Sequence, residues 1–125
     1  MIIGIGIDIV QTDRIEAVLS RSGDGFIRRV LHPVERTVFD KHPQPAAFLA
    51  KRYAAKEALS KALGTGIAKG VNLKDIEVSS DERGKPLLIL HGTTKAVADA
   101  MGVTELFISL SDERDYAVAN VVAQG

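Results

Sequence analysis

Two acidic residues, Asp8 and Glu57, stand in sequence settings that could bind a cation. Asp8 comes late in an alternating segment in which Gly4 and Gly6 share its face, so a ligand or another stretch of backbone can approach that face closely. An aspartate beside such a space could hold a metal ion. The same pattern also fits a strand-end aspartate that caps the next segment, with the glycines making room for a packed helix, and both interpretations stay open.

Glu57 and Lys61 are four residues apart in a segment rich in helix-forming residues. This spacing is typical of a helix-surface ion pair worth about 0.3 to 0.5 kcal/mol, which is the simplest interpretation of the two residues alone. However, Lys56, Glu57 and Lys61 lead directly into Gly64-Thr65-Gly66, where exposed backbone N–H groups and a hydroxyl could meet a phosphate. The lysines precede the glycines, so the segment is not a P-loop.

Together, Asp8 and Glu57 would supply two carboxylates from different elements. Magnesium commonly takes one or two protein carboxylates and completes its octahedral coordination with phosphate oxygens and water. A nearby lysine would neutralise further phosphate charge. The combination indicates attack on phosphorus, where catalysis depends mainly on positioning and on charge stabilisation by metal and cations.

The elements that must position these groups follow from hydrophobic periodicity and turn residues. Alternation over residues 3–9 predicts a strand with one face on the core, and the helix-forming run before Gly64 predicts the longest helix, with Glu57 and Lys61 opposite its apolar side. The full pattern predicts helices over 13–23, 33–40, 46–63 and 94–101, and strands over 3–9, 76–78, 87–90, 106–111 and 116–123. We therefore expect an α+β fold, one small domain over residues 1–125, with a largely antiparallel sheet packed against a long helix.

Arginines and histidines elsewhere in the chain allow further interpretations. Arg14 and Arg21 lie near one face of the first predicted helix and could meet an acidic partner, although a solvated helix face is the simpler interpretation. His32, His42 and His91 are isolated in the sequence, without a second histidine or an acid at ligand spacing, so we predict no zinc site.

Composition excludes several classes of protein. The chain of 125 residues carries 16 basic and 16 acidic residues, so it lacks the basic excess of a nucleic-acid binder. The absence of cysteine removes disulfides, thiolate metal sites and a cysteine nucleophile. Neither a signal-peptide pattern nor an apolar run of membrane-spanning length is present, and we expect a cytoplasmic protein with no membrane partner.

Two motifs together resemble the holo-acyl-carrier-protein synthase family of phosphopantetheinyl transferases. The first covers residues 4–10 (GIGIDIV) and runs on to residues 14–16 (RIE). The second covers residues 48–58 (FLAKRYAAKEA) and runs on to residues 61–66 (KALGTG). The separation of the motifs, the chain length and the closing hairpin are similar as well, so the resemblance extends over essentially the whole chain.

The resemblance implies a fold, a reaction and a set of site residues. It implies the 4'-phosphopantetheinyl transferase fold and transfer of phosphopantetheine from coenzyme A to a serine of apo acyl carrier protein, in fatty acid biosynthesis. The products would be the modified carrier and adenosine 3',5'-bisphosphate. The implied roles are magnesium binding by Asp8 and Glu57, contact with the coenzyme A diphosphate by Lys61, Gly64, Thr65 and Gly66, contact with the adenosine phosphate part by Arg52 and Lys85, and carrier-protein binding by Arg14 and Arg21.

The same resemblance implies a homotrimer with active sites at subunit interfaces. One departure is Asp112, which stands where many members have a histidine, so the role of that histidine does not transfer. Our mechanistic hypothesis gives Lys61 the stabilisation of the departing phosphate, and gives Glu57 or a metal-linked water the serine proton. The alternatives are a non-catalytic module that binds coenzyme A or a carrier protein, and a purely structural trimer.

Overall fold

The computed structural model describes residues 1–125. Nine main elements follow one another, with a short 3₁₀ turn at Leu73–Asp75 before the second strand. In chain order they are β1 (Ile2–Gln11), α1 (Thr12–Val30), α2 (Pro33–Phe39), α3 (Pro45–Leu63), β2 (Ile76–Ser80), β3 (Pro86–Leu90), α4 (Gly92–Ala100), β4 (Glu105–Asp112) and β5 (Tyr116–Gln124). The α+β class and the antiparallel pairing are confirmed, although the strands form two sheets.

The larger sheet has the strand order β1-β5-β4, and the smaller one is the β2-β3 hairpin. All three strand pairings are antiparallel, and the hairpin patterns predict two of them, β2-β3 and β4-β5. In the larger sheet, Asp8 stands opposite Ala119 of β5, which in turn stands opposite Leu110 of β4. Directly opposed residues point to the same side of a sheet, so this row faces the interior together with Asp8.

Glycines and alanines on the inner face of the sheet let α3 pack very closely against it. A Cβ atom on Gly4 would collide with the Ala62 backbone, and a Cβ on Gly6 would collide with the backbones of Ala58 and Ala62. The glycines therefore make room for a packed helix, which is one of the two alternatives left open above. The close packing also carries Asp8 to the side of α3.

Helix α3 is buried around most of its circumference, which the amphipathic prediction did not foresee. Lys56 is completely buried, and Ser60 is buried as well. Glu57 is only half-buried and Lys61 is exposed, so the predicted outer side is correct for these two residues. The helix ends at Gly64, whose φ of 75° lies in the left-handed region that glycine adopts readily.

The isoleucine face of β1 is exposed, contrary to what an alternating strand in a monomer suggests. Ile5, Ile7 and Ile9 expose 65, 61 and 62% of their surface. Their neighbours across the sheet continue the apolar surface, since Ile5 opposes Val122, which opposes Phe107. The residues toward the core are instead the small ones that face α3.

The first helix is longer than predicted. It is interrupted at Ser22, where φ is −147° and ψ is 38°, and then resumes to Val30. Phe26 and Ile27 are buried and hold this second part on the core, so tertiary packing overrides the glycines that suggested an end at Gly23. None of the helices combines the length and the apolar composition needed to cross a membrane.

Candidate active site

A cleft of about 330 Å³ between β1, α1 and α3 brings the predicted metal ligands together. Asp8 enters it from β1, Glu57 from α3 and Arg14 from α1, and Gln11 and Tyr53 complete its polar lining. Its remaining lining residues are apolar: Ile9, Val10, Ile15, Val18 and Phe26. Two carboxylates from different elements thus share one partly apolar cleft, where water competes less for an ion or a charged ligand.

Lys61 joins this group through Asp8. Its Nζ donates to Asp8 Oδ1 and to the Ile7 carbonyl oxygen, both at 3.0 Å. The Asp8 side chain is 15% exposed, so the carboxylate is largely withdrawn from water. The surface ion pair between Glu57 and Lys61, considered above as the simplest interpretation, is wrong, since the lysine pairs with Asp8 instead.

Tyr53 lies beside the two carboxylates. Burial raises the pKa of its hydroxyl, and the negative charge and hydrogen bonding of Glu57 raise it further. The protonated phenol therefore stays available as a donor toward Glu57. Its position in the motif gave no signal for this contact, because an aromatic residue one turn before Glu57 would normally indicate packing alone.

The turn after α3 differs from the prediction in its hydrogen bonding. The N–H of Gly64 donates to the Lys61 carbonyl oxygen, and the N–H groups of Thr65 and Gly66 both donate to the Ser60 carbonyl oxygen. The Thr65 hydroxyl donates to the Gly66 carbonyl oxygen. These bonds cap the end of the helix, so the three N–H groups are not the free phosphate donors that the sequence suggested.

Arg52 and Lys85 meet in a second cleft, of about 530 Å³, between α3, the β2-β3 hairpin and β4. Lys51 and the hydroxyls of Ser79, Ser80 and Ser109 lie along the same cleft. Asp112 also lines it and stands 3.9 Å from the ammonium of Lys51. Three cations against one carboxylate make this cleft suitable for an anionic ligand.

The two arginines assigned to a partner lie on the exposed side of α1. Arg14 borders the cleft of Asp8 and Glu57, whereas Arg21 immediately precedes the interruption at Ser22. Both are exposed, and neither forms an ion pair within the chain. They are therefore free to meet an acidic surface beside the cleft.

With this geometry established, comparison with known proteins gives the family. A family model described as the 4'-phosphopantetheinyl transferase superfamily matches residues 4–121. The chain belongs to the 4'-phosphopantetheinyl transferase superfamily. The resemblance of the two motifs is thereby confirmed, and relatives in the superfamily extend the match to nearly the whole chain. The holo-[acyl-carrier-protein] synthase of Vibrio atlanticus is 50% identical over 123 residues, which cover 98% of this chain and 98% of that protein.

Solved structures from the superfamily share the fold. The holo-[acyl-carrier-protein] synthase of Neisseria meningitidis matches with a TM-score of 0.95 and 39% identity, covering all of both chains. The Helicobacter pylori holo-[acyl-carrier-protein] synthase in complex with coenzyme A matches with a TM-score of 0.84 and 35% identity, covering 96% of this chain and 99% of that one. The transferase fold predicted from the motifs is confirmed.

Two groups near the site were missed or misjudged from the sequence. Lys56 was named with Lys61 in the segment that leads into the glycine turn, but it is buried and its Nζ donates to Glu35 and to the Val30 carbonyl oxygen. Burial lowers the pKa of Lys56 to about 8, although the neighbouring Glu35 opposes this shift. The sequence gave no indication of this contact at Glu35, because an acid at the start of a short helix usually serves as a cap.

The histidines are not isolated in space. The rings of His32 and His91 stack with centroids 4.3 Å apart and 18° between their planes, and His91 Nε2 lies 2.9 Å from Glu77 Oε1. Nδ1 of His32 accepts the N–H of Val34. The ligand atoms of His32, Glu77 and His91 all lie within 4.8 Å of one another, so the sequence prediction that these histidines lack a partner at ligand spacing is wrong.

Proposed function

We propose that this chain transfers the 4'-phosphopantetheine arm of coenzyme A to a serine of apo acyl carrier protein and releases adenosine 3',5'-bisphosphate, in fatty acid biosynthesis. The observation that carries the proposal is the meeting of Asp8, Glu57 and Arg14 in one cleft, with Lys61 bonded to Asp8. Membership in the transferase superfamily and the names of the curated relatives agree with it. The structure of the Helicobacter pylori relative with coenzyme A supports coenzyme A as the donor.

Asp8 and Glu57 are the residues that we propose as magnesium ligands. Both are hard oxygen donors of the kind that magnesium takes from proteins, and they reach the same cleft from different elements. The residues therefore fit the ion. Bound magnesium would neutralise charge on the coenzyme A diphosphate and so lower its repulsion toward an incoming oxygen.

The chain's own side chains account for the rest of the reaction. The carrier serine oxygen forms a bond to the phosphorus attached to pantetheine, and the bond from that phosphorus to the oxygen bridging the two phosphates breaks. Lys61 lies beside Asp8 and would stabilise the charge that develops on the departing phosphate. The serine proton would pass to Glu57 or to a water beside it.

Each substrate has a separate surface in this proposal. The cleft of Arg52 and Lys85 would hold the adenosine phosphate part of coenzyme A, since its lining carries a cationic excess. Arg14 and Arg21 would bind the acidic carrier protein beside the first cleft, where complementary charge speeds and orients docking. A phosphate role for Gly64, Thr65 and Gly66 would depend on atoms other than their N–H groups.

A homotrimer is the assembly that we propose. The row of exposed isoleucines on β1 continues across the sheet through Val122 to Phe107, and such a surface on a soluble chain usually marks an interface. Ile9 belongs to this face and also lines the cleft of Asp8 and Glu57, so a neighbouring subunit would approach the site. We further propose one domain over residues 1–125, because one continuous buried cluster includes residues from all parts of the fold, and a cytoplasmic location.

The function is tested by release of adenosine 3',5'-bisphosphate in the presence of apo carrier protein, coenzyme A and magnesium. We expect Glu57→Gln and Asp8→Asn each to reduce the release rate at least about 100-fold, which is the scale of losing one transition-state contact. Glu105→Gln removes an exposed carboxylate that lines neither cleft and should leave the rate unchanged. Binding of coenzyme A without any release by the wild-type chain would instead support a non-catalytic binding module.

Assembly is tested by the molar mass in solution, measured by light scattering. We expect three chains for the wild type and a smaller species for Ile7→Glu, which places a charge in the apolar face of β1. The matched control is Val34→Glu on α2, an exposed apolar residue outside that face. A monomeric wild type at assay concentration would contradict the trimer.

A further inference from the structure

A single buried carboxylate, Glu35 of α2, connects three separate elements. It is only 2% exposed. Its Oε1 accepts the N–H of His32 at 2.9 Å and the ammonium of Lys56 on α3. Its Oε2 accepts the N–H of Val78 on β2 at 3.0 Å. Glu35 therefore ties the start of its own helix to α3 and to the β2-β3 hairpin.

The same carboxylate faces Arg52, which lines the coenzyme cleft. Arg52 Nε lies 3.7 Å from Glu35 Oε2, and this buried nitrogen has no hydrogen-bond partner. The guanidinium carbon lies 4.2 Å from the centre of the Phe48 ring, which adds a cation–π contact. Charge attraction and ring packing thus hold the guanidinium, while the exposed 16% of the side chain remains for the cleft.

Stability alone is a weak explanation for this arrangement. A buried ion pair seldom adds net stability over apolar side chains of similar size, because both charges lose their hydration. Burial also lowers the pKa of Arg52, and the charge of Glu35 opposes that shift, so the carboxylate favours a charged guanidinium here. Val78 and Arg52 both line the cleft, so Glu35 holds two of its walls at a fixed separation.

We propose that Glu35 is a positioning residue for coenzyme binding, which acts by holding Arg52 and strand β2 in place around the anionic cleft. The inference rests on the proposed function, in which Arg52 contacts the adenosine phosphate part of coenzyme A. A guanidinium held in its binding orientation before the ligand arrives loses less conformational freedom on binding, so the coenzyme binds more tightly. Glu35 itself touches neither the coenzyme nor the reacting atoms.

The test compares Glu35→Gln with the wild type for coenzyme A and for dephospho-coenzyme A, which lacks the 3'-phosphate. Taking the contact of Arg52 to be with the 3'-phosphate, we expect the dissociation constant of coenzyme A to rise about tenfold, while that of dephospho-coenzyme A and the kcat stay within about twofold. The matched control is Glu77→Gln, a buried carboxylate on β2 that bonds to His91 and has no contact with Arg52. It should leave both dissociation constants unchanged.

A second variant serves as the control for an effect of Glu35→Gln on folding. Replacing Glu35 alone leaves the ammonium of Lys56 without its countercharge, so the double variant Glu35→Gln with Lys56→Met removes both buried charges together. The double variant should unfold at a temperature near that of the wild type and still show the tenfold loss of affinity for coenzyme A. A double variant that folds and binds both ligands like the wild type would overturn the inference.

Arg52→Met separates the two ways in which the experiment can fail. If Arg52→Met weakens the binding of coenzyme A but Glu35→Gln does not, the assignment of Arg52 stands and the inference about Glu35 is wrong. If Arg52→Met has no effect on either ligand, the assignment of Arg52 is wrong and the inference fails with it. If Glu35 acts through Arg52, adding Glu35→Gln to Arg52→Met should cause no further loss of affinity for coenzyme A.

Discussion

The close packing of β1 on α3 makes Gly6 a sensitive position for both folding and catalysis. In Gly6→Ala, the new Cβ would lie 2.6 Å from the Ala62 nitrogen and closer still to the Ala58 carbonyl oxygen. A Cβ atom essentially never approaches another heavy atom within 3.0 Å. The helix must therefore withdraw by at least 0.4 Å to relieve the contact with the nitrogen, and by more to relieve the contact with the oxygen. Both obstacles are backbone atoms, which cannot rotate aside.

Two effects should follow from this displacement. Overpacking of a well-packed interface costs about 1 to 3 kcal/mol, and we expect a loss of that size in the free energy of unfolding. The shift also separates Asp8 on β1 from Glu57 on α3. Because a misplacement of about 1 Å can cost about 100-fold in rate, we expect phosphopantetheine transfer to slow by at least about tenfold.

Urea unfolding measures the loss in the free energy of unfolding. The slowing of phosphopantetheine transfer is measured at a temperature where both proteins are folded. The matched control is Gly25→Ala on α1, where an added Cβ meets nothing within 4 Å. That variant should be as stable as the wild type, or more stable by up to about 1 kcal/mol, because alanine is the better helix former. Wild-type stability and rate in Gly6→Ala would refute the packing argument.

Three further expectations concern charged residues. The pKa of Lys56 is about 8 in the folded chain against 10.5 ordinarily, so between these pH values the unfolded chain binds one more proton and stability rises with pH. Measured by urea unfolding against the double variant Glu35→Gln with Lys56→Met, this gain should reach about 3 kcal/mol across that window, and a flat difference would contradict the low pKa. Lys61→Met should lower kcat about 100-fold in the transfer assay, and an unchanged kcat would exclude its role at the departing phosphate. Reversing the charge of Arg14 or Arg21 to glutamate should raise the KM for the carrier about tenfold at low salt and less at high salt, whereas a salt-independent KM would exclude charge-guided docking.

Local patterns were sufficient to predict most of the fold. The hairpins and the end of α3 at Gly64 depend on periodicity and on turn residues that act over a few positions, and the sequence predicts their bounds to within two residues. The predicted end of α1 was wrong because tertiary packing decides where this helix ends. Phe26 and Ile27 bind the helix to the core beyond the interruption at Ser22.

The candidate site was predictable only where a motif carried it. Asp8 and Glu57 meet in one cleft, but Lys61 pairs with Asp8 across the fold, a contact that helix spacing cannot show. The bond between Glu35 and Lys56 likewise joins residues on different helices. Such long-range contacts require the arrangement of the elements, which periodicity does not supply.

The exposed face of β1 illustrates a different limit. Alternation reports that one face of a strand is apolar, but not whether that face meets the core or another subunit. Here the isoleucines at positions 5, 7 and 9 point outward, and the glycines face α3. The distinction follows from the close packing of the helix rather than from hydrophobicity.

The central claim is tested most directly by the intact mass of an apo acyl carrier protein incubated with this chain, coenzyme A and magnesium, beside a sample that also contains a chelator. We expect the carrier to gain the mass of one phosphopantetheine arm in the first sample and to remain unchanged in the second. No gain in either sample, with a carrier that another transferase can modify, would contradict the proposed transfer reaction.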